Sequence, residues 1–269
     1  MTLSHSPVAF ITGAGSGMGQ LYAKQLLMQG WSVAALDVNE AGLNLLADAK
    51  NLLKLKVDVC DADAVAIAVQ QTESQLGPIT RVVNAAAIMP FGSLLEMVPS
   101  TVHKMFDINV GGLVNVASAT MPLMLAREKG EFISFASLSG IVPIFYMGAY
   151  AATKSAAVAY TEVLHHETRG QGVQVLCVCP PAVKTPLLEQ GKNTRWPKFL
   201  DLFPIITPQQ VIRAIEGSIG KQRFWVYPGW YTRFSILSRR WTPNFLWWFV
   251  RMVEKPKADI FTIGSTPKI

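Results

Sequence analysis

The chain has 269 residues, half of them hydrophobic and 16% charged. That length supports one large domain or two small ones with a full core, and the composition excludes a disordered or fibrous protein. The net charge of +6 is uneven: from Lys221 onward nine Lys/Arg stand against Glu254 and Asp259, a local +7, and the remainder carries −1. The basic character belongs to the C-terminus, so no nucleic-acid partner is expected.

Residues 1–7 are polar, with no basic run ahead of an apolar one, so no secretory leader is expected. Cys60, Cys177 and Cys179 are odd in number and lack metal-ligand spacing. They read as buried reduced thiols of a cytoplasmic protein, with Cys177 and Cys179 on one face of a strand. His5, His103, His165 and His166 also lack ligand spacing, and no metal is expected.

Residues 8–12 are a short apolar run that reads as a buried parallel strand. It enters Gly13-Ala-Gly-Ser16-Gly17-Met18-Gly19, and an apolar-periodic helix follows over 20–29. Strand, glycine loop and helix together let backbone N–H groups approach a pyrophosphate at the helix start. No Gly-Lys-Ser/Thr follows, which argues against a nucleoside-triphosphate loop. The second strand, 32–36, ends at Asp37, whose carboxylate can accept from adenosine ribose hydroxyls and repel a 2′-phosphate. Asp37 therefore favours NAD over NADP. Its alternative is a helix N-cap, a role Asn39 fills equally well.

A third strand over 53–57 leads to Asp58 and Val59, a helix to 61–75, and a fourth strand over 79–83 to Asn84-Ala85-Ala86-Ala87. The small residues leave room for a flat cofactor. A long helix, about 101–128, carries Asn109, which would ordinarily bond back to the chain or face solvent. Strands follow at 130–136 and 172–178, the latter trailed by Pro180-Pro181. Alternating strands and helices make a doubly wound parallel sheet, a three-layer α/β/α arrangement of Rossmann-like type. Right-handed crossovers gather the strand C-terminal ends on one rim, where ligands bind.

Between the fifth and sixth strands lies the densest chemistry. Ser137 ends a strand; Tyr150 and Lys154 are four apart on a helix over 148–169 and so share a face. A nearby ammonium favours phenolate, and serine can donate to a substrate oxygen, so the three can polarise a C–O bond and move its proton. The Tyr/Lys pair alone is more often packing, with the lysine stem laid across the ring.

Taken in order, Thr12-Gly13-x-x-x-Gly17-x-Gly19, Asn84-Ala-Ala-Ala, Asn109, Ser137, Tyr150-x-x-x-Lys154 and Pro180 with Val183 and Thr185 resemble the short-chain dehydrogenase/reductase family, in its single-domain NAD-using subgroup, over about residues 7–229. The resemblance implies that Tyr150 is the general acid/base, Ser137 the oxygen-orienting donor and Lys154 a ligand of the nicotinamide ribose that lowers the tyrosine pKa. It implies that Asn109 holds a water in the proton path. Gly13, Ser16, Gly17, Met18, Gly19, Asp37, Asp58, Val59, Asn84, Ala85, Ala86, Pro180, Val183 and Thr185 would hold NAD, together with Tyr150 and Lys154. A homo-oligomer, dimer or tetramer, is expected. Three positions depart from the family: Ala85 and Ala87 replace asparagine and glycine, and Pro181 replaces glycine, which would send the loop carrying Val183 and Thr185 along another path.

Substrate-side residues read as apolar: Met89, Pro90, Leu138, Val142, Ile144, Phe145 and Met147, then Leu187, Leu188, Trp196, Phe199, Leu200 and Phe203 in a loop over 185–205. They suit a lipophilic alcohol or ketone, with packing on the core as the alternative; Lys184, Lys192 and Arg195 keep a carboxylate open. A helix starts at Thr207 and a last strand covers 224–228. Residues 1–229 form the dinucleotide-binding and catalytic domain, and 230–269 a basic, aromatic extension. Its longest uncharged apolar run is too short to span a bilayer. It packs on the body or a neighbouring subunit, or lies in a membrane interface. The leading functional reading is an NAD-dependent alcohol dehydrogenase or ketone reductase. Its competitors are a dinucleotide sensor without turnover and an epimerase or dehydratase that uses bound NAD.

Overall fold

A computed structural model describes residues 6–192, 195–221 and 223–254; the side chain of Lys192 lies outside that description. Seven parallel strands form one sheet in the order β3-β2-β1-β4-β5-β6-β7. They are β1 (Val8–Thr12), β2 (Ser32–Asp37), β3 (Leu52–Lys56), β4 (Ile79–Asn84), β5 (Gly130–Phe135), β6 (Val173–Val178) and β7 (Trp225–Val226). The order reverses between β1 and β4, so a crevice opens above their C-terminal ends.

Strand alternation divides the core. Ala9, Ile11, Ile133 and Leu176 face one layer, with Tyr22 and Leu26 of α1 (Gly17–Met28) and Ile212 of α8 (Pro208–Glu216). Val8, Phe10, Phe132 and Val175 face the other, with Val65 of α3 (Ala62–Gln75), Val116 of α5 (Gly112–Ala126) and Ala157 of α6 (Gly148–Glu167). Buried Arg81 on β4 is paired with Glu131 and Glu216 and lies over Trp31, so its charge is satisfied inside the layer.

Local chemistry sets the element ends. Asn39 caps α2 (Glu40–Leu43), Asp61 caps α3, and Thr207 forms a reciprocal capping box with Gln210 around Pro208. The expected long helix is broken: α4 (Pro99–Phe106) passes through a π-helical turn, Asp107–Gly111, into α5. The run from Pro99 to Ala126 is apolar and long enough to cross a membrane by composition, but Leu113, Val116, Met121 and Met124 bury against the sheet. The last strand is shorter than expected, and Pro228 behind it has no N–H to extend the ladder. Cys177 and Cys179 share a face, with sulfurs 3.8 Å apart, while Cys60 is exposed rather than buried.

The loop expected over 185–205 holds α7 (Pro186–Lys192) and a 3₁₀ turn, Lys198–Leu202. The C-terminal extension forms α9 (Trp230–Trp241) and α10 (Pro243–Glu254), divided at Thr242 because proline cannot continue a helix. One face of α10 packs on the body, where Val250 is buried and the Glu254 carboxylate accepts from the Phe199 N–H at 2.8 Å. Lys255, Lys257 and Lys268, counted in the basic tail, lie outside the described residues, as does His5.

Candidate active site

Above β1, β2 and β4 lies a cleft of 640 Å³. Of the residues expected to hold the cofactor, Gly13, Ser16, Gly17, Met18, Gly19, Asp37, Asp58, Val59, Ala85, Ala86 and Thr185 line it. So do Ala87, from the small-residue stretch after β4, and Leu187, expected on the substrate side, together with Ile88, Lys104, Pro186 and Gln190, which the sequence did not single out. Gly13 has φ +69°, and a Cβ there would sit 2.8 Å from the carbonyl carbon of Ala85. At Gly15 a Cβ would meet the Asp37 carboxylate at 2.8 Å. The glycines therefore keep a backbone cradle open at the start of α1.

Asp37 is not a helix cap, since Asn39 takes that role. One carboxylate oxygen accepts from the Gly15 N–H at 2.9 Å and the other from the Asn39 N–H at 2.8 Å. A fixed negative charge thus stands at the end of β2, beside the glycine loop. A glycine cradle at a helix start, an acid at the next strand end and small side chains at 85–87 fit a dinucleotide.

Asn84 lies beneath the cleft and not on it: its amide oxygen accepts from the Thr12 hydroxyl at 3.0 Å. Thr12 in turn accepts from the N–H groups of Ala85 and Ala86, so Ala85 needs no polar side chain to fix this turn. Pro180 and Val183 also fall outside the cleft lining. The carbonyl of Pro180 accepts from the Leu138 N–H, and Val183 turns into the core, bridged to Ile206. The backbone between Ala182 and Ile206 is zipped by two hydrogen bonds, which fixes the path beyond Pro181.

A second, smaller cavity of 240 Å³ is built from the same two segments: residues 85–88 and 185–187 line the first, and Met89, Phe91, Pro181, Ala182 and Leu188 line the second. Ser137 lines it, with Met89, Val142, Ile144, Leu188 and Phe199. None of its described lining side chains is charged. Pro90, Phe145 and Trp196 are not among them, and Leu187 faces the first cleft. Lys184 is exposed, and Arg195 is engaged by Glu96 and the Tyr146 ring. The helices of the C-terminal extension close the cavity through Tyr231, Phe234, Phe245, Leu246 and Phe249. Their i, i+3 and i, i+4 aromatic spacing was the readable signal for this.

Ser137 ends the stretch after β5 and caps a 3₁₀ turn, accepting from the Ser139 N–H at 3.1 Å. Its own hydroxyl hydrogen-bonds Tyr150, which lies on the first turn of α6. Burial pushes the Tyr150 phenol up to about 12, and the Ser137 bond opposes that. Lys154 lies one turn on, its ammonium 2.7 Å from the Phe135 carbonyl and 5.8 Å from the Tyr150 ring centre. Burial pushes it down to about 8. Lys154 was expected to draw the tyrosine down; in the structure burial raises the phenol, and it is Ser137, not Lys154, that opposes the rise. Tyr150 and Lys154 line neither cavity.

Asn109 is buried by the π turn. Its amide accepts from the Ile88 N–H at 2.9 Å and donates to the Ile88 carbonyl and the Thr153 hydroxyl, each at 3.0 Å. Thr153 donates on to the Tyr150 carbonyl at 2.8 Å. Asn109 thus ties the cleft wall to the helix that carries Tyr150, and Thr153 is a positioning residue that the sequence left unmarked.

The family model described as "short chain dehydrogenase" matches residues 7–196. The chain belongs to the short-chain dehydrogenase/reductase family. Proteins of this family are oxidoreductases acting on small molecules. Among its relatives, 2-(S)-hydroxypropyl-CoM dehydrogenase 3 of Xanthobacter autotrophicus is 33% identical over 81% of this chain and 91% of the relative. Epidermal retinol dehydrogenase 2 of Mus musculus is 26% identical over 88% and 78%. A short-chain dehydrogenase/reductase from Burkholderia phymatum, solved in complex with NAD, superposes with a TM-score of 0.80 over 91% of this chain and 97% of that one. At 24% identity it shows the shared fold.

Proposed function

We propose that the protein is an NAD-dependent dehydrogenase that interconverts a lipophilic secondary alcohol and its ketone. The carrying observation is the position of Ser137, which lines the apolar cavity and hydrogen-bonds Tyr150. A C–O group in that cavity meets the Ser137 hydroxyl, with the Tyr150 phenol next behind it. A bound nicotinamide supplies the hydride acceptor or donor.

The chain's own residues do the rest. The glycine cradle and Asp37 hold the dinucleotide along the cleft. Ser137 donates to the substrate oxygen and orients it. Tyr150, kept protonated by burial, delivers its proton to that oxygen in reduction and removes it in oxidation. Lys154, anchored on the Phe135 carbonyl, favours the phenolate once the proton has left. The apolar wall excludes water from the reacting centre.

Asp37 supports NAD over NADP: a unit charge about 4 Å from a 2′-phosphate charge at an effective dielectric near 20 costs roughly 4 kcal/mol. The uncharged lining and the retinol dehydrogenase among the relatives support a lipophilic substrate. The test is cofactor reduction, followed by absorbance, with NAD or NADP and secondary alcohols from short to steroid-sized. NAD-selective turnover that favours large apolar alcohols and disappears in Tyr150→Phe is expected. Tight NAD binding without turnover on any alcohol would favour a sensor.

A further inference from the structure

The C-terminal extension has two apolar faces, and the body uses one. Tyr231 on α9 and Leu246, Phe249 and Val250 on α10 turn inward. The other face is bare. On α9 the exposed apolar residues are Trp230, Phe234, Leu237 and Trp241, spaced i, i+4, i+7, i+11. On α10 they are Phe245, Trp248 and Met252, spaced i, i+3, i+7. Each set is one stripe along one helix face. Trp230 is 84% exposed and Trp241 75%, an unusual placement for side chains of this size.

Charge on the same helices has one sign. Arg233, Arg239, Arg240 and Arg251 all lie on α9 and α10, and Glu254 is the only acid there. Glu254 is buried on the Phe199 N–H, so it does not offset them at the surface. An apolar stripe rich in tryptophan and flanked by arginine matches an anionic membrane interface. A symmetric dimer through this face would set arginines against arginines.

The cavity opens onto the stripe. Phe234 and Phe245 line the second cavity and are also 68% and 60% exposed. Leu202 and Ile205, exposed as well, flank the α9 side, where the Tyr231 hydroxyl donates to the Pro204 carbonyl.

We propose that the outward faces of α9 and α10 seat the protein on an anionic lipid surface, with the mouth of the second cavity turned toward the bilayer. The docking stands on the exposed stripe and its arginines; entry of substrate from the membrane rests additionally on the lipophilic-substrate reading above.

The full chain is mixed with vesicles of phosphatidylcholine alone or of an equal mixture with phosphatidylglycerol, and binding is read by co-sedimentation and tryptophan fluorescence. Binding to the mixed vesicles, at least tenfold stronger than to phosphatidylcholine alone and weakened by salt, is expected. Trp241→Ser with Trp248→Ser should abolish it, and Arg239→Glu with Arg240→Glu should erase the lipid preference; neither pair lines a cavity. Both variants should keep near-ultraviolet dichroism and turnover of a short soluble alcohol. For a long-chain alcohol supplied in mixed vesicles, only the native protein should gain rate. No binding to either vesicle, or a dimer in sedimentation that the tryptophan pair abolishes, overturns the docking. Binding without any alcohol turnover leaves the docking standing and overturns the substrate reading instead.

Discussion

The ammonium of Lys154 sits 2.7 Å from the carbonyl oxygen of Phe135, tying the second turn of α6 to the end of β5. Nineteen residues separate the two in sequence. The bond fixes a cation behind the tyrosine without letting it reach solvent.

That burial has a measurable consequence. The ammonium is pushed from 10.5 down to about 8. Between those values the unfolded chain binds a proton that the folded chain does not, so folding is favoured as pH rises through the window, and this contribution is lost as pH falls through 8. The stability of the native protein relative to Lys154→Met is expected to rise across that window by up to about 1.4 kcal/mol per pH unit. Urea unfolding at successive pH values reads this directly, and a flat difference would mean the ammonium is solvated.

Removing the Tyr150 hydroxyl should separate chemistry from binding. Tyr150→Phe is expected to lower kcat by about 10²–10⁴. Dinucleotide affinity should hold, because Tyr150 lines neither cavity. Fluorescence titration beside steady-state kinetics checks both.

Asp37 does two jobs that one substitution can part. Asp37→Asn keeps an acceptor for the Gly15 N–H and removes the charge. The ratio of Kd for NADP to that for NAD is expected to fall by at least tenfold, with unfolding changed by less than about 1 kcal/mol. An unchanged ratio would place the cofactor choice elsewhere in the cleft.

Asn109→Ala strips three hydrogen bonds and orphans the half-buried Ile88 N–H. A loss of about 1–3 kcal/mol in urea unfolding is expected, together with a lower kcat. Thr153→Val, close to isosteric, breaks only the relay toward the Tyr150 carbonyl. It should lower kcat more than it raises KM; a pure stability effect would make Thr153 structural only.

The sheet was legible because buried parallel strands declare themselves as short apolar runs between periodic helices, and β1 to β6 fall within a residue or two of the expected places. The glycine cradle was legible for a related reason: its glycines answer to backbone contacts, which spacing encodes. Val183 and Asn84 were misplaced because a motif gives order along the chain and not which side of a turn a side chain takes. Val183 went inward when the segment beyond Pro181 zipped onto Ile206. The extension showed its aromatics plainly, yet their role in closing the second cavity depends on the corner at Thr242–Pro243, a long-range packing outcome no local pattern states.

The π turn at Asp107–Gly111 makes chain length part of the site. An α-helix advances about 100° per residue, and a π turn takes in roughly one residue more than an α turn. α4 and α5 are therefore out of phase by one position, and every core contact from Leu113 to Met124 is set in the later phase. A single-residue deletion at the turn would force a choice between keeping Asn109 on Ile88 and keeping α5 seated on the sheet. In this helix a deletion should be as damaging as losing Asn109 itself, although no side chain of the site is changed.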